Sequence, residues 1–362
     1  MRFQSIGVGT VVLLVACGDT IAPTARPFRA ALSARPVATE YSVVELPLLG
    51  GSAGAADAIN GRGQIAGARN TATTFFVHAT RWTNLVPEDL GTLGGCCSQG
   101  FNINERGDVA GSSETGAGGG LFHAFQFTDA NGMKDLGTLG GDQSSGNAIN
   151  DAGVVVGSSE VGFQGPWHAF RWTSTAGMQD LGALGGGTTS GAVGINNRGD
   201  VAGFSDTPAG NRAVLWDSRG QIVNLGTLPG GTFSSAVAIN ERGDVAGVSS
   251  DVAGNGHAVV WIRGAGIVDL GVLPGDLNSG ASAINNSGIV VGGSLGSNFL
   301  QSRGFIWTEG EQMTELPALP AATLTLVHAI NNAGIVLGES GTFPSPTPVM
   351  WIRSGTAQPH RP

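Results

Sequence analysis

Charged side chains are scarce in this sequence. Asp, Glu, Lys and Arg make up 12% of its 362 residues, and Lys134 is the only lysine. The formal net charge is −9, so a nucleic-acid partner, which would favour a basic face, is not expected. Cysteine is rarer still, at three residues: Cys17, Cys96 and Cys97. The last two are adjacent, and adjacent thiols do not supply the spaced four-ligand set of a structural zinc site. Neither a metal nor a cofactor is expected. The apolar run Ile6 to Ala16 is too short to cross a bilayer as a permanent helix, and no stretch keeps helical spacing between caps. Catalytic motifs are also missing. No Gly-x-Ser-x-Gly elbow comes with a coherent triad, no Gly-rich loop leads into a helix as a phosphate cradle does, and His-x-x-x-His and calcium-loop patterns do not occur. These gaps weigh against an enzyme without excluding one.

Glycine is abundant instead, at 61 residues, and it sits at fixed offsets beside Val, Ile, Leu, Phe and Trp. An Ile-Asn-x-x-Gly turn recurs seven times, at Asn60, Asn104, Asn150, Asn196, Asn240, Asn285 and Asn331. A second marker, an acidic or amide residue before Leu, falls at Glu45, Asp89, Asp135, Asp180, Asn224, Asp269 and Glu315, with successive spacings of 44 to 46 residues. A fixed period of this length is the signature of a repeat architecture. Each copy reads as four short strands: A ending in Ile-Asn, B of Val-Val-Gly type, C of His-Ala-Phe-x-Trp type, and D of Asp-Leu-Gly type. Asn and Gly suit the A–B turn, and β-branched residues suit the returning strand. Four strands in about 45 residues match a propeller blade. The predicted fold is an all-β, seven-bladed β-propeller of four-stranded blades.

The chain ends suggest how the ring closes. The array opens on a D-type strand, Tyr41 to Leu49, and finishes on a C-type strand, Val349 to Arg353, so the last copy lacks its fourth strand. Pairing the two closes the ring and removes two exposed edges. Residues 41–354 are assigned to the propeller and 355–362 to a tail. A monomer is expected.

Residues 1–16 read as a signal peptide: Arg2, an apolar stretch, then Leu14-Val15-Ala16-Cys17, which resembles the bacterial lipobox. Cys17 is the expected lipidation site, and residues 17–40, rich in Ala, Pro, Thr and Arg, read as a flexible tether. The expected location is the cell envelope, with the membrane reached through the anchor only. Export implies an oxidising compartment, which leaves Cys96 and Cys97 open to two readings, a vicinal disulfide or two free thiols.

His123-Ala124-Phe125 and His168-Ala169-Phe170, with the Asp-Leu-Gly-Thr-Leu-Gly-Gly segments at Asp89 and Asp135, resemble the bacterial extracellular proteins named for their HAF repeats. The resemblance spans nearly the whole chain after the signal. It implies export or surface attachment and carries no general activity. Arg212, Arg303 and Thr347 stand in the histidine place of three copies, which argues against a universal role for that histidine.

Residues present in every copy are expected to build the fold. That applies to His78, His123, His168 and His257, to the recurrent carboxylates, and to the tryptophans ending strand C. The candidates for function lie where the copies disagree, since loops on a regular scaffold commonly carry binding. The D–A and B–C loops share one face, which offers Asp142, Gln143, Phe233, Asp276 and Asn278, with Trp167 in a B–C loop. His328 falls on the innermost strand and could face the channel, with Asp142 and Asp276 as its prospective partners. The expected function is a surface-anchored binding module with a glycan or protein ligand on the loop face. The alternatives are an enzyme acting on envelope polysaccharide and a purely structural envelope component.

Overall fold

The computed structural model describes residues 41–46, 54–70, 76–116, 120–296, 302–342 and 346–353. The expected signal peptide and tether, with Cys17, and the expected tail lie outside the described residues. Within them the chain forms twenty-eight strands and no helix. The strands make seven four-stranded antiparallel sheets, which are the blades of a propeller. In blade 3 the sheet runs in chain order through Ser144–Ile149, Val155–Glu160, Trp167–Thr173 and Gly177–Gly182.

The Ile-Asn-x-x-Gly turn explains why the copies repeat. Asn150 Oδ1 accepts the backbone N–H of Ala152 at 3.1 Å and of Val154 at 3.0 Å, and Gly153 closes the turn at φ 78°. Asn can fold back on its own backbone in this way, and glycine takes that φ at no steric cost. The same side chain then reaches sideways. Asn150 Nδ2 donates to the carbonyl of Asn196 in the next blade at 3.2 Å. The pattern runs from Asn60 to Asn104 (2.9 Å) and on round to Asn331, which returns to the carbonyl of Asn60 at 3.0 Å. Seven amide bonds form a closed circle, so strand A is the innermost strand of every blade.

Strand A also carries a bulge in each copy. In blade 3 Gly146 pairs with Gly157 and Ala148 with Val156, which leaves Asn147 as the extra residue. The bulge brings the Ser145 carbonyl so close to strand B that a Cβ on Gly157 would lie 1.8 Å from it. The glycine of the Val-Val-Gly motif is therefore a close-approach residue. The extra residue is released from strict alternation, as bulges do, and it is Asp57, Phe101, Asn147, Val193, Val237, Ser282 or His328 according to the blade.

The hydrophobic core is divided into layers between neighbouring blades. One layer packs Ile59, Ile65 and Trp82 of blade 1 against Ile335, Leu337, Met350 and Ile352 of blade 7. Another packs Val156 and Ala169 of blade 3 against Val201, Val214 and Trp216 of blade 4. Trp216 is fully buried, and its Nε1 donates to the carbonyl of Leu181 at 2.9 Å. The strand C tryptophans are thus packing residues, as expected.

At five of the interfaces a pair of serines stitches the layers. Ser144 Oγ accepts the N–H of Ala124 in the preceding blade (2.8 Å) and donates to the carbonyl of Gly137 (2.6 Å). Ser159 Oγ accepts the N–H of Leu139 at 2.9 Å.

Closure follows the expected plan. Tyr41–Glu45 pairs antiparallel with Thr347–Arg353, from Tyr41 opposite Arg353 to Glu45 opposite Val349. It becomes the outer strand of a blade whose other members are Val336–Gly341 and Leu324–Ile330. Tyr41 also donates its hydroxyl to the carbonyl of Gly334 at 3.0 Å.

Two expectations are corrected. In most blades strand D precedes the Leu-Gly segment instead of containing it, as in Gly132–Asp135. Asp135 Oδ1 accepts the N–H of Gly137 at 2.8 Å, and Gly137 has φ 75°, so the chain turns there. Leu136 and Leu139 then pack between blades. Trp167, placed in a loop by its sequence, is the first residue of strand C in blade 3, opposite Glu160.

Candidate functional site

The repeated histidines are clamps within single blades. Asp89, Asp135 and Asp269 end their D strands and Asp180 lies two residues from the end of its own, and each meets Nδ1 of the strand C histidine, with closest approaches of 2.8 to 3.0 Å. Each of these carboxylates also accepts a backbone N–H two residues on, at 2.7 to 2.8 Å. In blade 6 Arg303 and Glu315 take the two places and meet at 3.0 Å. A motif filled by either His–Asp or Arg–Glu is consistent with holding strands C and D together.

The turn-face mouth of the channel is a depression of about 260 Å³ lined by residues of all seven blades. Its carboxylates are already engaged. Glu105 accepts the N–H of Gly61 and Asp151 that of Glu105, both at 2.8 Å, and Glu241 accepts that of Asn197 at 3.1 Å. This second tier of bonds stiffens the ring.

Inside the ring the bulge residues differ, and titratable groups gather where the chain closes. Asp57 of blade 1 and His328 of blade 7 occupy the same bulge position on adjacent blades, and Glu339 lies on strand B of blade 7. All three are half-buried. Burial holds the Asp57 carboxyl above its ordinary range, against the opposing hydrogen bond from Gln99 Nε2 (3.0 Å) and the charge of His328. Burial likewise raises Glu339, with His328 lowering it and Asp57 raising it further. His328 therefore has Asp57 and Glu339 as electrostatic partners. Asp57 and Glu339 could not be found by sequence because nothing local marks the bulge or brings the first blade beside the last.

The loop-face candidates do not converge on one point. Asp142, Gln143 and Trp167 belong to blade 3, Phe233 to blade 5, and Asp276 and Asn278 to blade 6. Glu160 receives the N–H of Asp142 at 3.0 Å. Phe233 is 38% exposed. Asn278 begins strand A of its blade, and its Oδ1 accepts the N–H of Gly256 at 2.9 Å.

Asp276 borders a cavity of about 490 Å³ between blades 6 and 7, lined also by Ser302, Arg303, Glu315, Thr323 and Thr325. Arg303 bridges Asp276 (2.8 Å) and Glu315 (3.0 Å), and donates to the carbonyl of Pro274 at 2.9 Å. Despite its partial burial, those two carboxylates hold the guanidinium above its ordinary pKa. Hydroxyls, carboxylates and a fixed guanidinium thus share one concave site.

Cys96 and Cys97 are unbonded in this structure, with their sulfurs 2.7 Å apart. Glu114, on the adjoining strand, brings a carboxylate oxygen within 4.8 Å of both sulfurs.

These features define a seven-bladed β-propeller with polar sites on one face and inside the ring. No protein-family model and no curated relative matches the sequence. Among solved structures, the β-propeller domain of the Trilobed protease from Pyrococcus furiosus, described as having an open velcro topology, superposes with a TM-score of 0.54. It is 10% identical, over 82% of this chain and 94% of that one. Puromycin hydrolase, as an S511A mutant complexed with PGG, gives a TM-score of 0.50 at 11% identity, over 89% of this chain and 54% of that one. TolB from Acinetobacter baumannii gives 0.47 at 14% identity over 70% of this chain, which spans 63% of TolB's length. The likeness is one of fold.

Proposed function

We propose that this protein is a binding module of the bacterial cell envelope that holds a glycan on its loop face. The cavity between blades 6 and 7 carries the reading. Its Ser302, Thr323 and Thr325 hydroxyls and its Asp276–Arg303–Glu315 ion-pair network offer the donors and acceptors that a sugar's hydroxyls need, and ligand sites are typically concave with few fixed polar groups. The lipobox-like Leu14-Val15-Ala16-Cys17 and the resemblance to HAF-repeat proteins support export and an anchor at Cys17. A glycan array probed with the full chain carrying Cys17→Ser should give specific binding. Arg303→Ala should weaken that binding by at least about tenfold, roughly 1.4 kcal/mol. An array without signal would dismiss the reading.

A second reading, an enzyme acting on envelope polysaccharide, is favoured by one observation. Asp57 and Glu339, both raised by burial, interact electrostatically with His328 at the ring closure, and perturbed acids mark candidate acid–base sites. Release of reducing ends or unsaturated products from envelope polysaccharide should then disappear in His328→Gln and Asp57→Asn. If the unmutated protein releases no product, the enzyme reading fails.

A further inference from the structure

Several blades share a contact between a loop and the end of strand B, and one of them adds something to it. Glu160 accepts the backbone N–H of Asp142 at 3.0 Å, and Asp206 those of Thr188 and Thr189 at 2.7 Å. Glu114 does the same for Cys96 at 2.8 Å. A glycine makes room each time: a Cβ on Gly95 would lie 2.6 Å from Glu114 Cβ, and one on Gly141 2.4 Å from Glu160 Cβ. The carboxylate cradle is therefore part of the scaffold, and the thiols are not. Blade 2 alone sets two cysteines against it.

Adjacent residues of a regular strand point to opposite faces, so two neighbouring thiols would ordinarily be parted. Here the register slips between Gly94 and Ser98. The irregularity releases residues 95–97 from alternation and leaves both sulfurs on one side, beside Glu114. One ligand atom from each of the three residues lies within 4.8 Å of the others, and all three residues are half-buried. We propose that Cys96, Cys97 and Glu114 hold a thiophilic divalent cation of the zinc class, with the fourth coordination position open to an external ligand.

Two sulfurs and one carboxylate oxygen are donors zinc accepts, at about 2.3 Å for sulfur and about 2.0–2.2 Å for oxygen. At tetrahedral angles the sulfurs would stand about 3.8 Å apart, so the thiols separate as the ion enters. Each thiol gives up its proton, because the thiolate is the ligand. Three protein ligands and an open position is the pattern of zinc sites that exchange their fourth ligand.

The test uses the full chain carrying Cys17→Ser, in which Cys96 and Cys97 are the only thiols. The protein is kept reduced and titrated with Cd2+, whose sulfur-to-metal charge transfer absorbs in the ultraviolet. The band should saturate at one equivalent, be displaced by excess Zn2+, and vanish in Cys96→Ser and Cys97→Ser variants that keep the parent's circular dichroism. Glu114→Gln retains an oxygen to accept the Cys96 N–H, so the loop stays closed while the anionic ligand is lost. Outer-shell partners alone cost about 10–100-fold in affinity, and Glu114→Gln should weaken Cd2+ by at least about tenfold. The proposal is overturned if the parent shows no band at one equivalent, or if Glu114→Gln binds as tightly as its parent.

Discussion

Trp351→Ala is expected to destabilise the protein by about 3–5 kcal/mol, the range for emptying a buried aromatic site. Trp351 is fully buried, opposite Val43 of the closing strand, in a layer with Val291, Ile306 and Leu316 of blade 6. Its Nε1 donates to the carbonyl of Pro317 at 2.6 Å. The substitution therefore loosens the last interblade layer and strand pairing together. Chemical denaturation followed by tryptophan fluorescence checks it, and a loss below about 1 kcal/mol, typical of surface positions, would contradict this account of closure.

The second large effect concerns the circle of amides. Asn150 is 5% exposed, and Asn150→Ala removes the acceptor for two turn N–H groups and the donor to the Asn196 carbonyl. A buried group left unpaired costs about 1–3 kcal/mol; with some recovery by water, a loss of about 2–4 kcal/mol is expected. Asn150→Asp keeps the turn's acceptor and loses the donor, so it should be milder than Ala yet weaker than the parent. Equal stability of all three proteins in urea would show that the circle adds nothing.

Much of this molecule was legible before any coordinates. The Asn-x-x-Gly turn gave the blade count, because Asn and Gly at those offsets have few other uses. The orphan strand at Tyr41 gave the closure, because an unpaired edge is costly. The boundary of strand D is hidden in the sequence because Leu136 and Leu139 are apolar enough to pass for a strand. What ends the strand is a local device, the Asp135 carboxylate capping Gly137. The stitching serines, such as Ser144 and Ser159, carry no sequence signal because a serine among glycines looks like a loop.

The candidate sites divide in the same way. The strand C histidines repeat from blade to blade, and each meets an aspartate of its own blade. His328 stood out by sitting on strand A, but its neighbours did not, because Asp57 is 271 residues away in the chain and meets it only across the closure.

The sequence by itself determined the architecture: seven copies, four strands each, a permuted last blade. Periodicity suffices for that because each copy obeys the same local rules of turn, alternation and apolar spacing. Only the tertiary structure decided what meets what. It put Arg303 between Asp276 and Glu315, Asp57 beside His328, and Glu114 against Cys96 and Cys97. Those pairings depend on bulges and loop lengths that shift side chains by one residue, and on a ring that joins the two ends of the chain.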